Sequence, residues 1–317
     1  MVSLPPLLLE PRLDSRVWGG SHLAPWLKLG DAPAPLAEVW LVYAENRISG
    51  GPLAGMTLAE ATTRHGADLV GTVNIARSGA QFPLLAKFLD AADHLSVQVH
   101  PDDAYAHSVE AASGFNGKTE AWYILRADPQ AAVIHGFTAP TDRDACAAAI
   151  EAGRLIDLVR RVPVQSGETI FVPAGTIHAI NAGVMLFEIQ QTSDLTYRVY
   201  DYGRPRELHL DRALDVLNYD LSAPAVVDTQ PIDAARTRLV ACDYFTMERW
   251  SLSAPLSAST DRATFEILTV VEGAARLQTA HGSVELGCGT AVVLPASLGT
   301  YTLQPRPAST ILRCTAP

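Results

Sequence analysis

Residues 167–204, GETIFVPAGTIHAINAGVMLFEIQQTSDLTYRVYDYGR, constrain the fold more tightly than any other part of the chain. Residues 169–172 are apolar and β-favouring. Pro173-Ala174-Gly175 is turn chemistry, because proline fixes φ and glycine accepts positive φ. Residues 177–180 form a short strand carrying His178. Residues 184–190 predict a third strand, and residues 195–202, with alternating aromatics, a fourth. A turn that fixes where a strand begins also fixes where its side chains point, which makes His178 a candidate for a rigid metal ligand.

The spacing Gly167, five residues, Pro173, one, Gly175, two, His178 resembles the second half of the cupin pattern, with Asn181 one residue earlier than that pattern places its asparagine. A single histidine on a strand is more often a core residue than a ligand. His178 is singled out because partners stand upstream. In LSVQVHPDD, Ser96, Gln98 and His100 alternate with Leu95, Val97 and Val99, so a strand puts the three polar side chains on one face. In GKTEAWYIL, Lys118 and Glu120 share a face by the same period of two. Gln98, His100, Glu120 and His178 form a mixed nitrogen and oxygen set without thiolate. Such a set suits Zn²⁺ or another divalent first-row ion with a position left open for substrate.

Length and charge narrow the function. A chain of 317 residues with 48% hydrophobic content has ample material for two modules. The net charge of −10, from 24 Lys and Arg against 34 acids, argues against a nucleic-acid binder. Anionic substrate would need a local basic pocket. Cys146, Cys242, Cys288 and Cys314 form no CxxC pair and read as reduced thiols of a cytoplasmic protein. The first twenty residues lack a basic n-region, and no segment is long enough to span a bilayer, so neither signal peptide nor membrane association is expected.

The predicted architecture is mainly β: two cupin-like jelly-roll β-barrel modules with small helical insertions in the first. Residues 1–219 form the metal-binding module, 220–235 a linker, and 236–317 a second β module without a metal site. Residues 38–43 predict a strand with Glu38 and Trp40 on one face. Thr57 and Glu60 form a capping box for a helix that Gly71 stops. Further helices are predicted at 103–112, 141–162 and 208–217. In residues 82–89, Lys87 either snorkels to the surface or points its ammonium into a polar cavity. Gly289 and Pro295 repeat the Gly167–Pro173 spacing, with Thr300 following where His178 follows in the first module. His94, His107, His135, His209 and His281 have no ligand-like partners.

The segments FPLLAKFLDA, LSVQVHPDD, GKTEAWYIL, VPAGTIHAI and FEIQQTSDLTYRVYDYGR resemble type I mannose-6-phosphate isomerases in their short bacterial form. The motifs cover about residues 12–219, and the tail matches only by architecture. The resemblance implies one zinc per chain, held by Gln98, His100, Glu120 and His178. It implies catalytic roles for Arg198 and Lys118, and less directly for Glu188. Ser96, Lys87 and Asp194 fall on substrate-binding positions. The implied reaction interconverts mannose 6-phosphate and fructose 6-phosphate through an enediolate, in a monomer or homodimer. Lys118, Glu188 or a metal-bound water carries the proton; a structural ion pair of Arg198 with Asp194 or Asp201 is the alternative to its catalytic role. The entry segment AEVW departs from the more polar GESW-like form expected there. Two other readings stand beside this one. The first is a cupin enzyme acting on another substrate, such as a dioxygenase. That reading would want a richer histidine set. The second is a non-catalytic sugar-phosphate-binding protein, which would be expected to lose one of these residues.

Overall fold

Two antiparallel sheets face one another in the first module of the computed structural model, which describes residues 3–220 and 224–317. One sheet has six strands in the order Arg12–Asp14, Glu38–Val42, Leu84–Ala91, Val184–Gln191, Glu120–Ala127 and Thr169–Val172. The other has five, in the order Tyr197–Tyr200, Val97–Val99, His178–Ile180, Ala132–Phe137 and Val159–Pro163. Leu89, Trp122, Ile124 and Leu186 from the first sheet pack with Leu95, Val133 and Ile180 from the second side.

The six-stranded sheet is covered on both faces. Strands Leu84–Ala91 and Val184–Gln191 are buried along their whole length. Their alternate residues part company: Leu89 and Leu186 face the other sheet, while Phe88 and Phe187 join Phe245, Phe265, Ile267 and Leu312 of the C-terminal module. This two-sided burial explains why FPLLAKFL reads as a nearly continuous apolar run rather than an alternating one. The rings of Phe88 and Phe187 meet edge-on with centroids 5.8 Å apart, and Trp26 closes on Phe88 at 5.0 Å. The outer face of the five-stranded sheet is closed by helices Arg143–Glu151 and Leu210–Val216, through Cys146, Ala213 and Leu214.

The C-terminal module is built on two long strands, Glu266–Thr279 and Thr300–Thr315, in a nine-stranded sheet. Leu7–Leu8 at the other end of the chain completes this sheet's edge beside Ala291–Leu294. The echo of the first module is visible in the backbone. Gly167 and Gly289 both take positive φ, 90° and 83°, and each precedes a strand ending in a proline turn. The turns close alike, Thr176 N–H donating to the Pro173 carbonyl and Leu298 N–H to that of Pro295.

The helical readings need correction at two places. The capping box of Thr57 and Glu60 is present, but the helix Leu58–His65 ends at Gly66, whose φ is 47°, and a separate turn, Ala67–Val70, continues to Gly71. The region 141–162 is not helical throughout. Helix Arg143–Glu151 ends before Gly153, a single turn Leu155–Leu158 follows, and Val159–Pro163 is a strand paired with Ala132–Phe137. Positive φ at Gly153 breaks the helix, and β-branched residues at Val159 and Val162 suit the open sheet edge. Of the expected linker, residues 221–223 lie outside the described residues. Just beyond them, Ala225 accepts the Phe171 N–H and Val227 donates to Thr169, so this chain runs along the first module.

Replacing Phe187 by alanine removes the ring shared by the two modules. The expected loss is about 3–5 kcal/mol of unfolding free energy. Urea unfolding checks it, and a loss under about 1 kcal/mol would contradict a common core.

Candidate metal centre and active site

The site forms where one row of each sheet meets the other. Across the five-stranded sheet, Arg198, Gln98, His178 and His135 stand opposite one another in register. Across the six-stranded sheet the row is Arg12, Trp40, Lys87, Glu188 and Trp122. Between the rows lies a cavity of about 940 Å³. Its wall includes Gln98, Lys118, Glu120, Glu188 and Arg198, with Ser96, Lys87 and Asp194 as well. All ten residues singled out in the sequence are at this cavity or, for His100 and His178, directly behind Glu120.

His100, Glu120 and His178 bring one ligand atom each to within 4.8 Å of one another, and all three are buried. His100 Nε2 and Glu120 Oε2 are 3.4 Å apart; His178 Nε2 and Glu120 Oε1 are also 3.4 Å apart. Each imidazole donates its Nδ1–H to a backbone carbonyl at 2.8 Å, His100 to Leu195 and His178 to Thr176. That fixes the tautomer and leaves both Nε2 lone pairs aimed at the centre. Glu120 Oε2 is buried without a hydrogen-bond partner. Converging acceptors with one unsatisfied carboxylate oxygen are the donor set a divalent cation fits. Gln98 adjoins the cluster, its Nε2 3.3 Å from His178 Nε2 and its oxygen 3.4 Å from the Ser96 hydroxyl.

Charge at the centre follows from burial. Burial pushes the Glu120 carboxyl up, but the Lys118 ammonium opposes it, and the group is held well below the usual carboxylate range. Lys118 Nζ lies 3.3 Å from Glu120 Oε2 and 3.2 Å from His100 Nε2. Burial, aided by Lys118, lowers His100 to about 3, and burial also lowers His178, so both rings are neutral near pH 7 as ligands must be.

The opposite wall carries a second charged group. Lys87 Nζ sits 3.2 Å from Glu188 Oε1 and 3.4 Å from Glu38 Oε2, over the Trp40 ring at 5.4 Å. Trp40 Nε1–H donates to Glu38 at 2.7 Å and Trp122 Nε1–H to Glu188 at 3.0 Å. Lys87 therefore takes the polar-cavity course and does not snorkel. Burial opposes its charge, yet Glu188 and Glu38 raise its pKa above the ordinary value. Burial and then Glu120 push the Glu188 carboxyl up, with Lys87 opposing. The same brace occurs in the C-terminal module. There Trp250 Nε1–H donates to Glu248 at 2.9 Å, and Arg313 lies over Trp250 at 5.5 Å between Glu248 and Glu266.

Arg198 makes no ion pair with Asp194 or Asp201. Its Nη1 donates to the Glu207 carbonyl at 2.8 Å, while Arg204 and Arg206 occupy Asp201. Burial and the neighbouring Arg206 lower the Arg198 pKa. Asp194 is exposed at the rim. The sequence reading did not include Arg12, Arg16, Trp18 or Arg206, which also line the cavity. Glu38 and Trp40 were visible as a shared face but had no assigned role. His135, set aside in the sequence, stands beside His178 in register. It donates to the Phe171 carbonyl at 2.8 Å and accepts from Arg160 at 3.3 Å.

The two depressed histidines predict acid sensitivity. Burial holds His135 at about 4 and His100 at about 3, below the value of about 6.5 of an unfolded chain. The unfolded state therefore binds more protons than the native one below pH about 6.5. This contribution to stability is complete above that pH and is lost as pH falls through about 4 for His135. In chelator-treated protein, the urea midpoint of the His135→Gln variant should fall less steeply between pH 7 and pH 4 than that of the parent chain. Equal slopes would refute the assignment.

Known proteins share this sequence pattern and fold. The family model for the phosphomannose isomerase type I catalytic domain matches residues 7–121, and that for the mannose-6-phosphate isomerase cupin domain matches residues 235–309. The mannose-6-phosphate isomerase ManA of Bacillus subtilis is 35% identical, over 94% of this chain and 96% of its own length. A crystal structure of mannose 6-phosphate isomerase from Bacillus subtilis superposes with a TM-score of 0.87 at 31% identity, covering 98% of this chain and 99% of that one. A zinc-bound mannose 6-phosphate isomerase, 18% identical with a TM-score of 0.79, covers 98% of this chain and 99% of its own and shares the fold. With these relatives matched along almost its whole length, the chain belongs to the type I phosphomannose isomerase family.

Proposed function

We propose that this chain interconverts mannose 6-phosphate and fructose 6-phosphate at the cavity between the two sheets, with one zinc ion held by His100, Glu120, His178 and Gln98. The observation that carries the reading is the buried His100–Glu120–His178 cluster opening onto a cavity that also presents Lys118, Glu188 and Arg198. The relatives, mannose-6-phosphate isomerases, supply the substrate.

Aldose–ketose isomerisation moves a proton between C1 and C2 of an open-chain sugar, and negative charge develops on oxygen as it does so. When bound, the zinc ion supplies a Lewis acid that polarises a substrate oxygen. The chain's own residues do the rest. Arg198 keeps a charged guanidinium at the cavity, where its fork suits a developing oxyanion or a phosphate. Glu188 has a carboxyl pushed up by burial, which brings it toward the range useful for proton transfer near neutral pH. Lys118 neutralises Glu120 and holds a mobile proton donor beside His100. Ser96, Lys87 and Asp194 line the same space and bind the sugar and its phosphate.

Chelation should abolish turnover on mannose 6-phosphate, and added Zn²⁺ should restore it. Protein loaded with one zinc per chain that turns over no mannose 6-phosphate would keep the metal site and overturn the substrate. Arg198→Ala should retain zinc but lose about 100-fold or more in kcat, the cost of one preorganised charge-stabilising donor. Glu188→Gln should lower kcat with KM little changed if Glu188 carries the proton. Full kcat in that variant would transfer the role to Lys118.

A further inference from the structure

We infer that Gln191 is the positioning residue that holds Lys118 and Glu120 in place at the metal centre. The inference rests on the isomerase reading only for its activity arm. Glu120 is the first residue of its strand, and its pairs with Gln190 and Val172 are the terminal pairs of the ladders on either side. A strand end is where a sheet opens most easily. Yet this end carries two buried charges, Lys118 and Glu120.

The side chain of Gln191 takes over where the ladder stops. Lys118 and Glu120 point into the cavity, so Thr119 between them points away. Thr119 N–H donates to Gln191 Oε1 at 2.9 Å, and the Gln191 N–H donates to the Thr119 carbonyl at 3.2 Å. The other end of the amide is anchored as well. Gln191 Nε2 donates to Asp103 Oδ1 at 2.9 Å, and the same oxygen accepts the Gly117 N–H at 2.8 Å. Gln191 and Thr119 are each only 4% exposed, so water competes little for the pair of bonds between them.

Two further contacts make the clasp specific. A Cβ on Gly117 would lie 2.4 Å from the Asp102 carbonyl carbon, so the segment entering Lys118 is pressed directly onto the start of helix Asp103–Val109. Thr119 Oγ1 accepts the Ala174 N–H at 3.2 Å, in the turn that leads to His178. The residue clasped by Gln191 therefore links the strand of Glu120 to the turn that sets His178. None of these atoms reaches the cavity, so Gln191 acts only through the residues it holds.

The test compares Gln191→Leu, which fills similar space without hydrogen bonds, with the parent protein as full chains. Zinc affinity is read by competition with a chromophoric chelator. The Co²⁺ absorption spectrum reports ligand geometry, and kcat and KM are measured at saturating zinc. Gln191→Leu is expected to weaken zinc binding by about 10–100-fold, the usual effect of removing a residue that orients a metal ligand. It should lower kcat more than it changes KM and shift the Co²⁺ spectrum. Gln191→Glu keeps the acceptor for Thr119 but loses the donor to Asp103, and should fall between the two. Parent-like zinc affinity, spectrum and kcat in Gln191→Leu, with only a lower melting temperature, would overturn the inference. Should Gln191→Leu fail to fold, Asp103→Ala, which alters the half-buried outer anchor, decides by the same readings. A parent protein that binds zinc but turns over no mannose 6-phosphate would defeat the isomerase reading, while the affinity comparison would still judge Gln191.

Discussion

A carboxylate removed from water must be compensated where it stands, and Glu120 is 1% exposed. The architecture of the first module can be followed outward from that requirement. Lys118, two residues away on the same strand face, supplies one positive charge. The two imidazoles turn their unprotonated nitrogens toward the carboxylate because their other nitrogens are committed to backbone carbonyls. The remaining demand is for a cation. Because the unfolded chain holds no such preformed donor set, metal binding here would couple occupancy to stability.

The facing sheets meet this demand by dividing the work. The five-stranded sheet and the residue just beyond its Val97–Val99 strand contribute His178, His100 and Arg198. The six-stranded sheet contributes carboxylates and lysines, from long strands buried on both faces. Its second apolar face lies against the C-terminal module, so that module stiffens the cavity wall from behind although it contributes no lining residue to it.

Much of this was legible in local sequence. Gln98, His100 and Glu120 declare themselves because a strand's period of two separates polar from apolar side chains over a few residues. His178 follows from the proline–glycine turn before it. Arg198, Lys118 and Glu188 were reached through family resemblance. Partnerships across strands were not legible: Lys87 meets Glu38 and Glu188 only once register is set. Arg12, Arg16 and Arg206 reach the cavity from loops and an edge strand that carry no periodic signal. The misreading at residues 159–162 has a physical source. Helical periodicity in the alanine-rich run before Gly153 was extended through VRRVP, whose two valines, three apart, keep a helical spacing, and sheet pairing decided the outcome.

The brace of a glutamate two residues before a tryptophan, with a cation stacked between paired carboxylates, occurs in both modules. In the C-terminal module the Tyr301 hydroxyl donates to Glu266 and closes the brace. That copy ties three strands and a ring together through one cation. The wall of Lys87, Glu38 and Trp40 is thus already ordered before any sugar arrives. A guest meeting such a surface forfeits its own freedom but little of the host's, so selectivity can rest on fit to a fixed template rather than on closure around the ligand.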